Sequence, residues 1–158
     1  MTEAEQHGIH IYEKCFKSNA LGLIKGNKIG ISKALSTTIE KACILAEELG
    51  HYHTTEGNIL DQLDIRNRKQ ELRARQWAYQ CMIPLHRIVQ AHLACINGRY
   101  DLAEYLGVTE GFLQAAIDRY SEKYGIFVTV DQYVVCFDPL YVVHESQWHG
   151  RYHIKFPY

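Results

Sequence analysis

The chain of 158 residues has no apolar run long enough to cross a membrane and no excess of either charge. Its longest apolar stretches, Ile126–Val130 and Tyr133–Phe137, have the length of β-strands. With 17 basic and 18 acidic residues the formal net charge is -1. Bulk electrostatics therefore give no reason to expect nucleic acid or a membrane surface as a partner.

The amino-terminal residues, MTEAEQHG, lack the basic and apolar segments of a secretory signal, so we expect a cytoplasmic protein. The 5 cysteines show no C-x-x-C spacing, and most have apolar neighbours. This pattern favours thiols in the core of a protein from a reducing compartment over a disulfide framework. With only 3 prolines, no Pro/Ser-rich linker and no internal repeat, the chain predicts a single domain, residues 1–158.

Strands are predicted at both ends of the chain, in residues 1–36 and 125–158. The predicted strands are Gly8–Phe16, Leu21–Lys25, Lys28–Ser32, Ile126–Val130 and Tyr133–Phe137. Gly26-Asn27 joins the second and third into a hairpin, because this pair tolerates the positive φ of a tight turn. Asp131-Gln132 joins the last two. Beyond Pro139 the tail is rich in histidine and aromatic residues and has no clear period.

Helices are predicted between the strands. They are Thr38–Tyr52, Arg68–Met82, Leu85–Cys95, a short turn at Ile59–Leu63, and a pair within Tyr100–Tyr120 that turns at Gly107. Thr37 and Glu40 form a capping box that opens the first helix. Residues 37–96 thus hold the main helices and residues 97–124 the pair, and Thr54–Asn67 reads largely as a loop. The order predicts an α+β domain: short antiparallel amino-terminal strands packed on a helical core, with a carboxy-terminal β-hairpin.

The first long helix carries the frame of the H-E-x-x-H motif. In that motif two metal ligands at positions i and i+4 face the same side of a helix, and the Glu between them acts as a general base. Here Glu47 occupies the first ligand position, Glu48 the base position and His51 the second ligand position. Because zinc accepts oxygen as well as nitrogen donors, a carboxylate at the first position is chemically reasonable.

A catalytic zinc needs three protein ligands and one open position. The best third candidate is Glu71, which lies on the next helix after a loop long enough to fold it back. The alternative is an ordinary solvated helix face. Glu is a good helix former, so Glu-Glu-x-x-His at helical spacing also arises by chance. His51 would then simply interact with the dipole at the end of its helix.

Two segments together resemble a known family. The run Ile44–Thr55 resembles the motif region of the ImmA/IrrE family of metallopeptidases, found in mobile elements and prophages. The run Gln70–Tyr79, followed by Met82-Ile83-Pro84, is similar to that family's second motif: a Glu, an Ala three residues later, an aromatic–Ala pair and a hydrophobic-hydrophobic-Pro ending. The resemblance covers most of the chain, from Gly22 to Tyr124.

The resemblance implies a zincin-like, metal-dependent endopeptidase. His51 matches the second metal ligand, Glu48 the catalytic Glu and Glu71 the third ligand, with Zn²⁺ as the expected metal and another divalent ion such as Mn²⁺ as an alternative. The implied substrate is a helix-turn-helix transcriptional repressor of a prophage or mobile element, with no direct binding to nucleic acid or membrane. Glu47 stands where most of the family has His. This departure leaves open an inactive anti-repressor that acts by binding its partner.

Two further patterns have a functional and a structural interpretation. Tyr100–Tyr120 has the outline of a DNA-binding helix-turn-helix, but Arg119 is the only basic residue in its second helix, which favours two helices packed into the core. Arg75 follows Glu71 by four residues and predicts a helical ion pair. A role in orienting Glu71 or balancing the charge of Glu47 is the alternative. The remaining histidines, His53 among them, are predicted to be ordinary surface or core residues.

Overall fold

The computed structural model describes residues 8–54 and 65–148. Its first sheet contains β1 (His10–Lys14), β2 (Gly22–Lys25) and β3 (Lys28–Ser32). The helices that follow in these residues are α1 (Thr38–Thr54), α2 (Ile65–Met82), α3 (Leu85–Leu93), α4 (Arg99–Leu106) and α5 (Glu110–Tyr124). The second sheet contains β4 (Phe127–Val130), β5 (Tyr133–Phe137) and β6 (Leu140–His144), followed by a 3₁₀ turn at Glu145–Gln147. The predicted α+β class is confirmed.

The amino-terminal sheet has the strand order β1-β3-β2. The predicted hairpin is confirmed: β2 and β3 pair antiparallel, and Gly26 in its turn has a φ of +59°. The prediction of purely antiparallel strands is wrong for β1, which pairs in parallel with β3. The pattern of apolar residues reports that a segment is extended, but it does not report the neighbour or the direction of that segment.

The carboxy-terminal sheet is antiparallel, with the order β4-β5-β6. The predicted hairpin of β4 and β5 is confirmed. The chain beyond Pro139, predicted to be irregular, instead forms β6 at Leu140–His144. This strand depends on tertiary contacts, because it pairs with β5 and buries Val142 while its sequence does not alternate between apolar and polar residues.

Helix α1 begins with the predicted capping box. The Glu40 amide donates to Thr37 Oγ1 at 3.1 Å, and the Thr37 amide donates to Glu40 Oε2 at 2.9 Å. Helix α2 begins at Ile65, earlier than predicted. The predicted short turn at Ile59–Leu63, and most of the predicted loop around it, lie outside the described residues.

Helices α1 and α2 approach closely because the residues between them are small. Ala46 on α1 and Ala74 and Ala78 on α2 are buried. A Cβ atom added to Gly50 would collide with the backbone carbonyl of Ala74, so the two backbones touch at this point. This contact sets the position of each helix along the other and thereby decides which of their polar side chains meet.

Helices α3, α4 and α5 pack with the second sheet into the larger hydrophobic core. The most completely buried side chains of this core are Ile83, Leu113, Tyr120 and Val135. The Tyr120 hydroxyl donates to the carbonyl oxygens of Tyr79 at 3.1 Å and Ile83 at 2.7 Å, which satisfies acceptors at the end of α2. The prediction that α4 and α5 are packed core helices is confirmed, since Leu102, Leu106, Phe112 and Ile117 are buried there.

The five cysteines, all in the described part of the chain, form no disulfide. Cys43 and Cys136 are buried, as predicted for core thiols, whereas that prediction is wrong for Cys15, Cys81 and Cys95, which are exposed. None of the helices described is both long enough and apolar enough to span a membrane.

We expect Gly50→Ala to lower the free energy of unfolding, because the new methyl group must push α1 away from α2. Overpacking of this kind typically costs about 1–3 kcal/mol. The matched control is Gly111→Ala in α5, where an added Cβ has nothing within 4 Å. Alanine is preferred there by about 0.5–1 kcal/mol over glycine in a helix. Urea denaturation measures the free energy of unfolding of both variants. Equal values would contradict the close approach of α1 and α2.

Candidate metal centre

Two of the predicted ligands meet across the α1–α2 interface. The His51 Nε2 atom lies 3.2 Å from Glu71 Oε2, and the two side chains are only 14% and 25% exposed. The contact follows from the close approach at Gly50, because His51 is the next residue on α1 and Glu71 lies one turn before Ala74 on α2. This hydrogen bond is the largest cause of two opposite shifts: it raises the pKa of His51 and lowers the pKa of Glu71.

The predicted ion pair between Arg75 and Glu71 is confirmed. Arg75 Nε lies 2.8 Å from Glu71 Oε1, while the other carboxylate oxygen faces His51. The carboxylate of Glu71 is therefore held between an imidazole and a guanidinium. Arg75 adds to the lowering of the Glu71 pKa, which keeps this carboxylate ionised.

Glu47 lies one turn before His51 on α1, in the field of the same groups. Burial raises its pKa, and among the charged neighbours the Arg75 guanidinium opposes this shift most strongly. The Glu71 carboxylate raises the Glu47 pKa further and His51 lowers it. His51 lies opposite Glu71. Glu47 is one turn earlier on α1 and Arg75 is one turn later on α2, so these two side chains also approach each other.

Glu48 points toward β2 rather than toward α2. A Cβ atom added to Gly22 would lie 2.5 Å from Glu48 Oε1 and 2.7 Å from Ile44 Cγ2, so only glycine leaves room for this carboxyl. Burial raises the pKa of Glu48 to about 7; His51 opposes the shift, and Glu47 and Glu71 add to it. A carboxyl that titrates near neutral pH is suited to general-base chemistry.

The chemistry of the donors fits a divalent metal. Two ligands bound to one zinc at about 2.0–2.2 Å in tetrahedral geometry lie roughly 3.3 Å apart. The 3.2 Å between His51 Nε2 and Glu71 Oε2 agrees with that spacing. Within residues 8–54 and 65–148, however, no group of three His, Cys, Asp or Glu side chains is arranged to hold a metal ion. Glu47 as the third ligand therefore stays a prediction.

The structure adds contributors that the sequence motifs do not name. Gly22 positions Glu48 from β2 by leaving room for its carboxyl, and a glycine inside a strand was the only sequence signal for this close approach. The ring of Tyr79 packs edge-on against Phe112, with 5.0 Å between the ring centroids. Burial raises the pKa of its phenol, and the Glu47 and Glu71 carboxylates add to that rise. Tyr79 lies two turns after Glu71 on α2.

His53 lies apart from this group, as its spacing predicts. Its ring stacks on that of Trp77, with 4.8 Å between the ring centroids. A cavity of 520 Å³ lies elsewhere, between α3, α4, α5 and β6, and its lining contains none of the four predicted site residues. The cavity therefore plays no part in positioning His51, Glu71, Glu47 and Glu48.

Comparison with protein families identifies the family of this chain. A family model described as the IrrE N-terminal-like domain, of the M78 peptidases, matches residues 4–118. The chain belongs to this family. The match spans the sheet and both helices that carry the candidate metal centre, and it confirms the resemblance to the ImmA/IrrE metallopeptidases. No curated protein and no solved structure matches the chain. An M78 peptidase domain implies a protein substrate and usually a metal.

We expect Glu48→Gln to stabilise the metal-free protein more at high pH than at low pH. The pKa of Glu48 is about 7 in the folded chain against an ordinary value of 4.5, so between these values the folded chain holds more protons than the unfolded chain. The stability of the wild type therefore falls as pH rises through this window, whereas Gln at this position does not titrate. Denaturation of both proteins with a chelator present, from about pH 5 to about pH 8, measures the difference.

Glu40→Gln is the control for this experiment and should lower the stability by an amount that hardly changes from about pH 5 to about pH 8. The hydrogen bonds of the capping box lower the Glu40 pKa, so its charged form stabilises the wild type above the ordinary pKa. A Glu48→Gln difference that does not change with pH would mean that this carboxyl is fully solvated.

Proposed function

We propose that this member of the M78 family is a metal-dependent endopeptidase in which Glu48 is the general base. The observation that supports this most is the placement of Glu48: a half-buried carboxyl with a pKa of about 7, beside the His51–Glu71 pair. General bases work best when their pKa lies near the working pH, because they are then both ionised and basic enough to accept a proton.

In this mechanism Glu48 accepts a proton from the water that attacks the peptide carbonyl. The space above Gly22 accommodates the carboxyl against β2, which limits the positions it can take and so reduces reorganisation. After the attack, the protonated Glu48 can deliver the same proton to the leaving amine.

The residues proposed to hold the metal are Glu47, His51 and Glu71. Zinc is the first candidate and manganese the alternative, since two carboxylates and one imidazole form a harder ligand set than two imidazoles and one carboxylate. When bound, the metal supplies Lewis acidity, which polarises the carbonyl and makes water more acidic. Arg75 offsets part of the negative charge that Glu47 brings in place of a neutral histidine.

The proposed substrate is a helix-turn-helix transcriptional repressor of a prophage or mobile element, cleaved in the cytoplasm. Membership of the family supports a protein substrate. The similarity of Ile44–Thr55 and Gln70–Tyr79 to the ImmA/IrrE motifs supports the narrower choice of a repressor. Cleavage would then relieve repression.

A second candidate function is that of an inactive anti-repressor, which binds the same partner without cutting it. Two observations favour it: Glu47 replaces the usual first histidine, and the described residues include no three-residue group arranged around a metal. Metal content and the behaviour of Glu48 variants separate the two functions.

We expect the protein, purified without chelators, to contain one divalent ion per chain. His51→Ala should abolish binding, because it removes the only nitrogen donor in the proposed ligand set. Glu47→Ala should weaken binding, and Glu47→His should strengthen zinc binding. Elemental analysis measures the metal content, and competition with a chromophoric chelator measures the affinity. His53→Ala, which changes the histidine stacked on Trp77, is the control and should retain the metal.

Full occupancy in His51→Ala would show that the ligands are elsewhere. If neither Glu47 variant changes the affinity, Glu47 does not touch the metal, and the anti-repressor becomes the better account.

We expect Glu48→Gln to retain fold, metal and partner binding but to lose cleavage. General-base assistance is commonly worth about 10²–10⁴-fold in rate, so cleavage of the repressor should fall to near background. A reporter gene under the repressor gives the cellular readout, and immunoblotting shows whether the repressor is cut. If Glu48→Gln relieves repression as well as the wild type, with the repressor intact in both, the protein acts by binding alone.

A further inference from the structure

Within residues 8–54 and 65–148, the amino-terminal sheet packs only one of its faces on other elements. Ile29 and Ile31 of β3 are buried with Leu49 of α1, and Ile24 of β2 packs against them. Since side chains alternate along a strand, the residues between these point to the opposite side of the sheet. We call that side the outer face; it carries His10, Tyr12, Lys14, Leu21, Leu23, Lys25, Lys28, Gly30 and Ser32, of which Gly30 and Ser32 are buried.

An apolar row crosses the middle of the outer face. The register places Tyr12 beside Gly30 and Gly30 beside Leu23. Tyr12 is 44% exposed, Leu23 49% and Leu21, next to this row, 44%. Because Gly30 has no side chain, the rings of Tyr12 and Phe16 lie over its backbone, within 3.4 Å of where a Cβ would be. The apolar row therefore runs across all three strands without a break, and it lies close to the backbone at Gly30.

Positive charge flanks this row on both sides. The register aligns His10, Lys28 and Lys25 in the row on one side, and Lys14 begins the row on the other. The Lys14 ammonium lies 5.6 Å from the centroid of the Phe16 ring. The chain as a whole is nearly neutral, but this sheet carries a local excess of positive charge.

The acidic residues of the segment do not offset this charge. Glu13 is the only acidic residue between Gly8 and Ser36, a segment that also contains Lys14, Lys17, Lys25, Lys28 and Lys33. Its carboxylate is already paired with Lys41 of α1, at 2.7 Å. The lysines of the outer face therefore remain available to a partner of opposite charge.

We propose that the outer face is a docking surface for an acidic amphipathic segment of a partner protein. An extended or helical segment with apolar side chains on one side and carboxylates along its edges would match the apolar row and the flanking lysines. Single-stranded nucleic acid fits less well. The Tyr12 and Phe16 rings lie against Gly30 and Phe16 has Lys14 above it, so they do not stand free as stacking platforms.

Strand β2 connects this surface to the candidate metal centre. Gly22 lies against the Glu48 carboxyl on the inner side of β2, while Leu23 and Lys25 lie on the outer face. A partner docked on the outer face would therefore lie on the opposite side of β2 from Glu48. Docking needs neither metal nor hydrolysis, so it holds for an endopeptidase and for an anti-repressor alike.

Fluorescence anisotropy with a short labelled peptide in which leucine alternates with glutamate tests this proposal. We expect saturable binding that weakens with salt, because exposed charges are screened beyond about 10 Å at 0.1 M ionic strength. The double variant Lys25→Glu/Lys28→Glu and the single variant Leu23→Ser should each weaken binding by about tenfold or more, as loss of charge or apolar contact commonly does. Lys123→Glu on α5 is the control for a charge change elsewhere and should bind as the wild type does.

Two further arms make the result specific. The same peptide with lysine in place of glutamate should not bind, and Glu48→Gln should bind the glutamate peptide as the wild type does. Amide chemical shifts of the wild type should change at Tyr12, Leu23, Lys25 and Lys28 on titration, which tests the surface without any variant that might misfold.

The proposal is overturned if the glutamate and lysine peptides bind equally, or if the shift changes lie away from the outer face. Binding of oligothymidylate or of vesicles containing phosphatidylglycerol, lost in the Lys25→Glu/Lys28→Glu variant while the glutamate peptide fails to bind, would assign the surface to nucleic acid or to anionic lipid instead.

Discussion

The close approach of α1 and α2 at Gly50 is the constraint on which the candidate metal centre depends. With a hydrogen atom as its side chain, Gly50 lets the α1 backbone rest on the carbonyl of Ala74. The buried methyl groups of Ala46 and Ala78 keep the helices close on one side of that contact. Since His51 and Glu71 project from adjacent turns, their separation of 3.2 Å is a consequence of backbone packing rather than of long, adaptable side chains.

Charge in a half-buried space then separates the roles of three carboxyl groups. Glu71 lies between His51 and Arg75, which lower its pKa, so it stays ionised and can serve as a ligand. Glu48 lies against β2, and burial raises its pKa to about 7 although His51 opposes the rise. Glu47 lies between these extremes: burial raises its pKa and Arg75 opposes the rise. Environments that push the pKa values of neighbouring carboxyls apart are the usual basis of distinct catalytic roles.

Local patterns predicted much of the fold. The capping box at Thr37, the hairpin turn at Gly26 and the helical pair around Gly107 are interactions between residues a few positions apart, and each is confirmed. The parallel pairing of β1 and the existence of β6 were not predictable in this way. Both depend on backbone hydrogen bonds to strands that are distant in sequence or already packed, and these leave no periodic signature in the paired segment.

For the candidate site, the sequence by itself determined which chemical groups are present and which share a helix face. Glu47 and His51 are four residues apart, and so are Glu71 and Arg75, and helical geometry alone makes such pairs neighbours. Only the tertiary structure decided how the two helices combine: that Glu71 meets His51, that Glu48 turns to β2 and that the Glu47 and Glu71 carboxylates add to the rise in the Tyr79 pKa. The physical reason is that burial and helix register arise from packing between distant segments, and these set both distances and pKa values.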